Sequence, residues 1–328
     1  MHHLVVAVLS ATLFISAMAH TWAQGPYPSR TIRIIVPTSP PGGADIVARS
    51  ISQPMTERLG QQVIVDNRAG ASTTLGGEIA ARAAPDGYTL HVGLVQRFLS
   101  TLTINPATFR KVPYDALRDF TPITHAAIQP LLLSVHPSIP AKNVRELIAI
   151  AKARPGDVTY SSPGFGTNPQ MGMELFLFMS RAQMLHVPYR GGGESILAVA
   201  SGHVGATVSS MLGTMPQVRA GRLRALGVTS AKRVSSASDI PTISEAGVPG
   251  YESLQWYGLL APTGTPPDIL ARLHREAVAS LRIPEITARL ASDGAEVIAG
   301  TPDEFGAYIR AETIKWAKLA KAAGIKPE

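Results

Sequence analysis

From Pro28 onward the chain alternates short β-rich runs with helical patterns, and few architectures accommodate that alternation. Thr31–Pro37 (TIRIIVP) reads as a buried strand. Ala44–Leu59 reads as a helix with Val47, Ile51, Met55 and Leu59 on one face, Gly60 as its stop and Pro54 as a predicted kink. Strand Val63–Val65, helix Thr74–Ala84, a turn at Pro85-Asp86-Gly87 and strand Tyr88–Val92 follow. Strand–helix–strand spacing of this kind predicts right-handed crossovers and parallel pairing.

The middle of the chain repeats the theme. Strands are expected at Leu131–Val135, Val158–Tyr160, Leu185–Pro188, Val204–Val208 and Ala225–Thr229, with helices at Val144–Ala153, Met171–Met179, Ser195–Ala200 and near Met215–Ala220. The last third is mainly helical. Thr265-Pro266-Pro267-Asp268 and Thr301-Pro302-Asp303-Glu304 carry helix-start signals, and Phe305, Ile309, Trp316 and Leu319 form one apolar face, read as core packing. Two α/β units result, with crossovers expected near Phe120–Ala127 and Thr229–Tyr251.

The chain's 328 residues are enough for about two domains, and 16% charged residues with 45% hydrophobic ones exclude disorder and coiled coil. The formal net charge is +7, but no basic run occurs and aromatics are only 6%, so the surplus reads as a solvated surface and nucleic acid is not an expected partner. With no cysteine, disulfides and thiolate chemistry are excluded. Leu4–Ala19 is an apolar run too short to span a bilayer, followed by small residues at Ala17-Met18-Ala19 and Thr21-Trp22-Ala23. Residues 1–23 are therefore expected to be a cleaved secretory signal, although His2 and His3 stand where Lys or Arg is usual.

Three glycine-rich loops follow strands: Pro40-Pro41-Gly42-Gly43-Ala44-Asp45, Ser161–Asn168 (SSPGFGTN) and Tyr189-Arg190-Gly191-Gly192-Gly193. Loops at the carboxyl ends of strands are where open α/β sheets bind ligands, and a glycine loop opening a helix offers N–H groups to an anion. Taken singly, each is more often just a tight turn. The catalytic signatures fail. No third glycine completes a dinucleotide fingerprint (Pro169 occupies the place), and no P-loop, H-E-x-x-H or G-x-S-x-G occurs. No histidine pair has metal-ligand spacing; His91 and His186 read as structural, and Asp45 as an acid at a helix start. The residues describe a binder rather than an enzyme, with no metal and no cofactor expected.

Several segments, in order along the chain, resemble one family. TIRIIVPTSPPGGADIVAR, LGQQVIVDNRAG, AAPDGYTL, HVPYRGGG, AGRLRALGVTSAKR, DIPTISEAGVPGYE and GLLAPTGTP are similar to the Bug-type periplasmic solute receptors of tripartite tricarboxylate transporters. The resemblance implies a two-lobed Venus-flytrap α/β fold, each lobe a mainly parallel sheet flanked by helices. Lobe 1 would comprise residues 24–125 and 235–328, and lobe 2 residues 126–234. It implies a monomer in the periplasm that binds a small organic carboxylate between the lobes, delivers it to a membrane permease or presents it to a sensor kinase, and catalyses nothing.

By position, the resemblance places ligand contacts at Pro41, Gly42, Gly43, Ala44 and Asp45, at Ser162, Gly164, Phe165, Gly166 and Thr167, and at Tyr189 and Gly191. Thr38, Ser39, Pro41 and Ala44 depart from the family's P-F-P-P-G-G-G-T-D, and Ala44 removes a hydroxyl donor. Gly205 and Ser209 stand in a run where many members carry an acid, so nothing at Ser209 would hold an ammonium group. Arg97 follows a strand end and is expected at the cleft mouth, facing a second carboxylate. The rival reading is an exported α/β enzyme that uses the same loops to hold a carboxylate or phosphate ester.

Overall fold

The computed structural model describes residues 27–322 apart from 41, 71–72, 95–112, 190 and 293. Residues 1–23, Pro41 and Arg97 lie outside the described residues. The strands are β1 (Ile32–Val36), β2 (Val63–Asn67), β3 (Thr89–Leu94), β4 (Phe120–Val135), β5 (Thr159–Ser162), β6 (Leu185–Pro188), β7 (Ala206–Ser210), β8 (Arg224–Val228), β9 (Leu254–Pro262) and β10 (Glu296–Val297). The helices are α1 (Gly43–Leu59), α2 (Thr74–Ala81), α3 (Val144–Ala153), α4 (Asn168–Ser180), α5 (Gly192–Ala200), α6 (Met211–Arg219), α7 (Pro267–Leu281), α8 (Pro284–Ser292) and α9 (Pro302–Ala322).

The strands form a mixed sheet in the order β2-β1-β3-β9-β4-β7-β5-β6, with β8 and β10 also on β4. β4 organises everything. Its first part, Phe120–Pro130, pairs antiparallel with β9, while its last five residues, Leu131–Val135, pair antiparallel with β7 and β8. Pro130 and Leu131 are neighbours in sequence, yet Pro130 faces Leu254 of β9 and Leu131 faces Ser210 of β7. One strand thus passes from one half of the molecule to the other. β1 is flanked in parallel by β2 and β3, and β5 in parallel by β6 and β7, so each half keeps the parallel units the alternation predicts. The change of partners falls at Pro130–Leu131, beyond the expected Phe120–Ala127, because the whole stretch 120–135 is extended. β9, which shows no strong pattern of its own, is buried along almost its entire length and completes the first half.

Helix starts differ from expectation in an informative way. α5 begins at Gly192, three residues before the expected Ser195, so two glycines form its first turn. α7 is preceded by Pro266, and Thr265 donates to the Pro262 carbonyl instead of capping the helix. Pro54 is accommodated inside an unbroken α1, which ends at Gly60 in the left-handed conformation. Two cores fill the halves. Ile32, Ile34, Val47, Ile51 and Met55 pack with Leu273 and Ala277 of α7 on one side of the first sheet. Leu133, Leu147, Tyr160, Phe176 and Val208 lie in a second cluster that extends to Phe305, Ile309 and Trp316 of α9. The apolar face of α9 is therefore core, as its spacing predicts. Among the described residues no helix is long and apolar enough to cross a membrane.

Candidate ligand-binding site

A cleft of about 330 Å³ opens where the carboxyl ends of the strands of both halves meet. The β1–α1 loop lines it with Thr38, Ser39, Gly42, Gly43 and Ala44, and the β2–α2 loop with Gly70 and Thr73. Opposite lie the Gly191–Gly193 turn with Ile196 and Leu197 of α5, Pro163 and Pro169 flanking α4, and Ser209, Ser210, Gly213 and Gln217 around the start of α6. Leu131, Gln255 and Tyr257 are also part of the lining. Among the described lining residues none carries a charge.

Five helices start at this cleft: α1, α2, α4, α5 and α6. Their N-cap residues are Gly42, Thr73, Thr167, Gly191 and Ser210, and none makes a side-chain capping bond. The first N–H groups of a helix have no intrahelical acceptor, and the aligned peptide dipoles add roughly half a positive charge there. These starts present backbone N–H groups toward the cleft, and among its described lining residues there is no cation. Thr38 Oγ1 and Gln217 Oε1, both on lining residues, are buried without a hydrogen-bond partner, as groups prepared for a ligand or water often are.

A side-chain network fixes the first loop. Asn67 at the end of β2 donates from Nδ2 to the Thr38 carbonyl and to Asp45 Oδ1, both at 3.0 Å. Arg49 Nε holds both Asp45 oxygens at 3.0 and 3.1 Å, and its Nη2 donates to Asn67 Oδ1. Asp45 therefore positions the loop and does not line the cleft. On the far side Ser162, wholly buried, holds Gly164 through both its amide and its carbonyl, and its Oγ lies 2.7 Å from His186 Nε2. Thr167 donates to the same Gly164 carbonyl. Burial pushes the His186 imidazole down to about 4, so it is neutral near pH 7. Its Nδ1 is buried without a partner and the Ser162 hydroxyl is enclosed, so this pair has neither the orienting acid nor the access that nucleophilic catalysis needs.

Residues 47–325 match the family model for the tripartite tricarboxylate transporter family receptor. The chain belongs to this family. It is 32% identical over 321 residues to BugT of Bordetella pertussis, covering 98% of each chain. Among solved structures it superposes on a Rhodopseudomonas palustris protein with bound adipate, Rpa4515, at a TM-score of 0.87 with 35% identity, covering 92% of this chain and all of that one. It also matches MatC from the same organism with bound malate, at a TM-score of 0.83 with 30% identity, covering 89% of this chain and 99% of that one. The two-lobed fold of these periplasmic binding proteins is the fold of this receptor.

Of the residues singled out from the sequence, Gly42, Gly43, Ala44, Gly191 and Ser209 come together in the cleft. Ser162, Gly164, Gly166 and Thr167 build the turn behind Pro163, with Gly164 and Gly166 both at positive φ. Phe165 meets the His186 ring edge to face at 4.8 Å, and Tyr189 packs on the cluster around Ile196 and Val199. Sequence reasoning passes over Gln217, Gln255 and Tyr257. Tyr257 had no signal: a tyrosine inside an apolar strand reads as core, and only the fold sets its hydroxyl against Gly43.

Proposed function

We propose that the protein is a periplasmic receptor that captures a small organic carboxylate in the cleft and releases it unchanged to a membrane permease of the tripartite type. The observation that carries this reading is the convergence of five uncapped helix starts on a cleft whose described lining is uncharged. Such a site stabilises an anion through backbone N–H groups at no cost in desolvated side-chain charge. The apolar walls, Leu131, Ile196, Leu197 and Pro163 among them, suit a carbon skeleton, and the volume is at the small end of ligand pockets. The adipate and malate held by the two R. palustris relatives are of the same chemical class.

The lobes divide where partners change along β4, at Pro130–Leu131, and where Thr229 and Ser253 are bonded side by side at the return. Closure about these crossings brings the Gly191–Gly193 turn onto the β1–α1 loop. Residues 1–23 are the export signal and the mature receptor is a monomer. Calorimetry with mono- and dicarboxylates, followed by mass analysis of the recovered ligand, tests the central claim. Saturable binding with the ligand recovered intact supports it. Recovery of a converted product would establish the enzyme reading instead, and failure of every carboxylate to bind would overturn the proposal.

A further inference from the structure

Under the floor of the cleft one buried side chain joins the two halves of the molecule. Gln129, wholly enclosed on β4, accepts through Oε1 from Tyr257 Oη and from Ser210 Oγ, each at 3.0 Å. Residues two apart on a strand share a face of the sheet. Tyr257 of β9 sits in the register opposite Ala127, and Ser210 of β7 opposite Leu131, so the two hydroxyls flank Gln129 from either side of the Pro130–Leu131 crossing. The donors of the backbone ladder are interrupted at that step. Pro130 has no N–H, and the Leu131 N–H is given to Thr229 Oγ1 at 2.7 Å. Tyr257 Oη reaches the first turn of α1, at the place a Cβ of Gly43 would take, and Ser210 is the N-cap of α6. One oxygen thus links two of the helix starts that open on the cleft.

We infer that Gln129 is the positioning residue that fastens the lobes in this mutual placement, with Tyr257 aiming its oxygen from the first lobe and Ser210 completing the tie from the second. A carbonyl oxygen has two lone pairs, so one residue serves both donors. Rotation of one lobe about the crossing leaves the Tyr257 bond in place, because both of its residues belong to the β4–β9 ladder, and carries Ser210 away from Gln129. The placement is closed at the mouth: a Cβ at Gly191 would stand 3.9 Å from Ser39 Oγ, on the loop that faces it. Gln129 therefore biases the free receptor toward closure before any ligand arrives. The tie is made entirely by the protein's own groups and is independent of what the cleft takes.

The chain has no cysteine, so Gln53→Cys on α1 and Lys152→Cys on α3, both exposed and outside the cleft lining, take a pair of spin labels, one on each lobe. Pulsed electron paramagnetic resonance on the ligand-free mature chain reads the distance between them. Gln129→Met, of similar length without the acceptor oxygen, should raise the open population against the closed one about fivefold, the worth of one net hydrogen bond. Ser210→Ala should do the same in the parent chain and add no opening in the Gln129→Met chain, where its proton has already lost its acceptor. Tyr257→Phe, which frees only the aim of the Gln129 oxygen, should have a smaller effect in the same direction. A role in stability alone would lower the thermal midpoint of these variants and leave the label distances unchanged, and that result overturns the inference. Ser210→Ala opening the Gln129→Met chain as far as it opens the parent overturns it as well. If Gln129→Met does not fold, Ser210→Ala and Tyr257→Phe, which remove only hydroxyls, decide by the same distances. No carboxylate enters the measurement, so a negative result leaves the carboxylate reading of the cleft standing.

Discussion

The two glycine turns that face each other across the cleft use glycine for different reasons. In the β1–α1 loop a Cβ at Gly43 would overlap Tyr257 Oη, and one at Gly42 would press the Ser39 carbonyl at 3.2 Å. In the β6–α5 turn, among the described residues, a Cβ at Gly193 would meet nothing within 4 Å, and Gly191 and Gly192 have only Ser39 Oγ and Pro163 Cγ as neighbours, each at 3.9 Å. Neither Gly42 nor Gly191 is at positive φ; both are extended. The first turn is glycine because protein fills the space. The second is glycine although the fold leaves room, and that spare room faces the ligand cleft. A similar motif thus serves packing on one side and leaves open space on the other.

Acid should separate the two sides with the largest effect. His91 on β3 and His125 on β4 belong to the Gly43 side; both are buried and held down to about 4 by that burial. A base whose folded pKa lies below its unfolded value of ~6.5 contributes stability above that value and loses it as pH falls toward the folded pKa. Each enclosed histidine should remove on the order of 3 kcal/mol between pH 6.5 and 4. The thermal midpoint should fall steeply across that window, and His91→Phe should blunt the fall more than a substitution at the half-buried His186. A midpoint flat from pH 6.5 to 4.5 would contradict this.

Gly43→Ala comes next. One methyl group forced against a buried tyrosine costs about 1–3 kcal/mol, and adding Tyr257→Phe should restore part of it by removing the nearest atom. Unchanged unfolding of Gly43→Ala would place this glycine with those of the second turn.

Much of this arrangement was legible in the sequence. The alternation of strands and helices, the family and the three glycine loops all emerge from local pattern, because period and turn chemistry are local properties. Gly42, Gly43, Ala44, Gly191 and Ser209 reach the cleft for that reason. Asp45, Ser162 and Thr167 instead brace the loops through Asn67, His186 and the Gly164 carbonyl. Their partners lie 22 and 24 residues away for Asp45 and Ser162, and three for Thr167, and which face each side chain presents is set by tertiary contact. β9 and Tyr257 were illegible for the opposite reason: an apolar run records burial, not what its one hydroxyl touches.

Helix α3 supplies the control for the uncapped helices of the cleft. Asn143 Oδ1 accepts from the Glu146 amide at 3.0 Å, while the Glu146 carboxylate accepts from Asn143 Nδ2 at 2.8 Å and from the Lys142 amide at 2.6 Å. α3 contributes nothing to the cleft lining. Asn143→Ala should cost about 1 kcal/mol of stability and leave ligand affinity unchanged. A change in affinity would mean that capping and binding are not separable in this fold.

The smallest effect on the fold, and the sharpest on binding, is expected at Gly191. Its extended backbone (φ −170°, ψ 166°) is open to any residue, and a Cβ there has 3.9 Å of clearance to Ser39 Oγ. Gly191→Asp would place a carboxylate at the N-cap of α5, where it can accept from N–H groups of the first turn. Aspartate caps better than glycine by only a few tenths of a kcal/mol, so the thermal midpoint should stay level or rise slightly. The same carboxylate then occupies the donors on which an anionic ligand depends and adds a repelling charge, so affinity should drop about tenfold or more. Gly191→Ala provides the same Cβ without the acid. If Ala weakens binding as much as Asp, the turn excludes bulk and its N–H groups hold nothing; if Asp alone does, the uncapped start of α5 is a ligand contact.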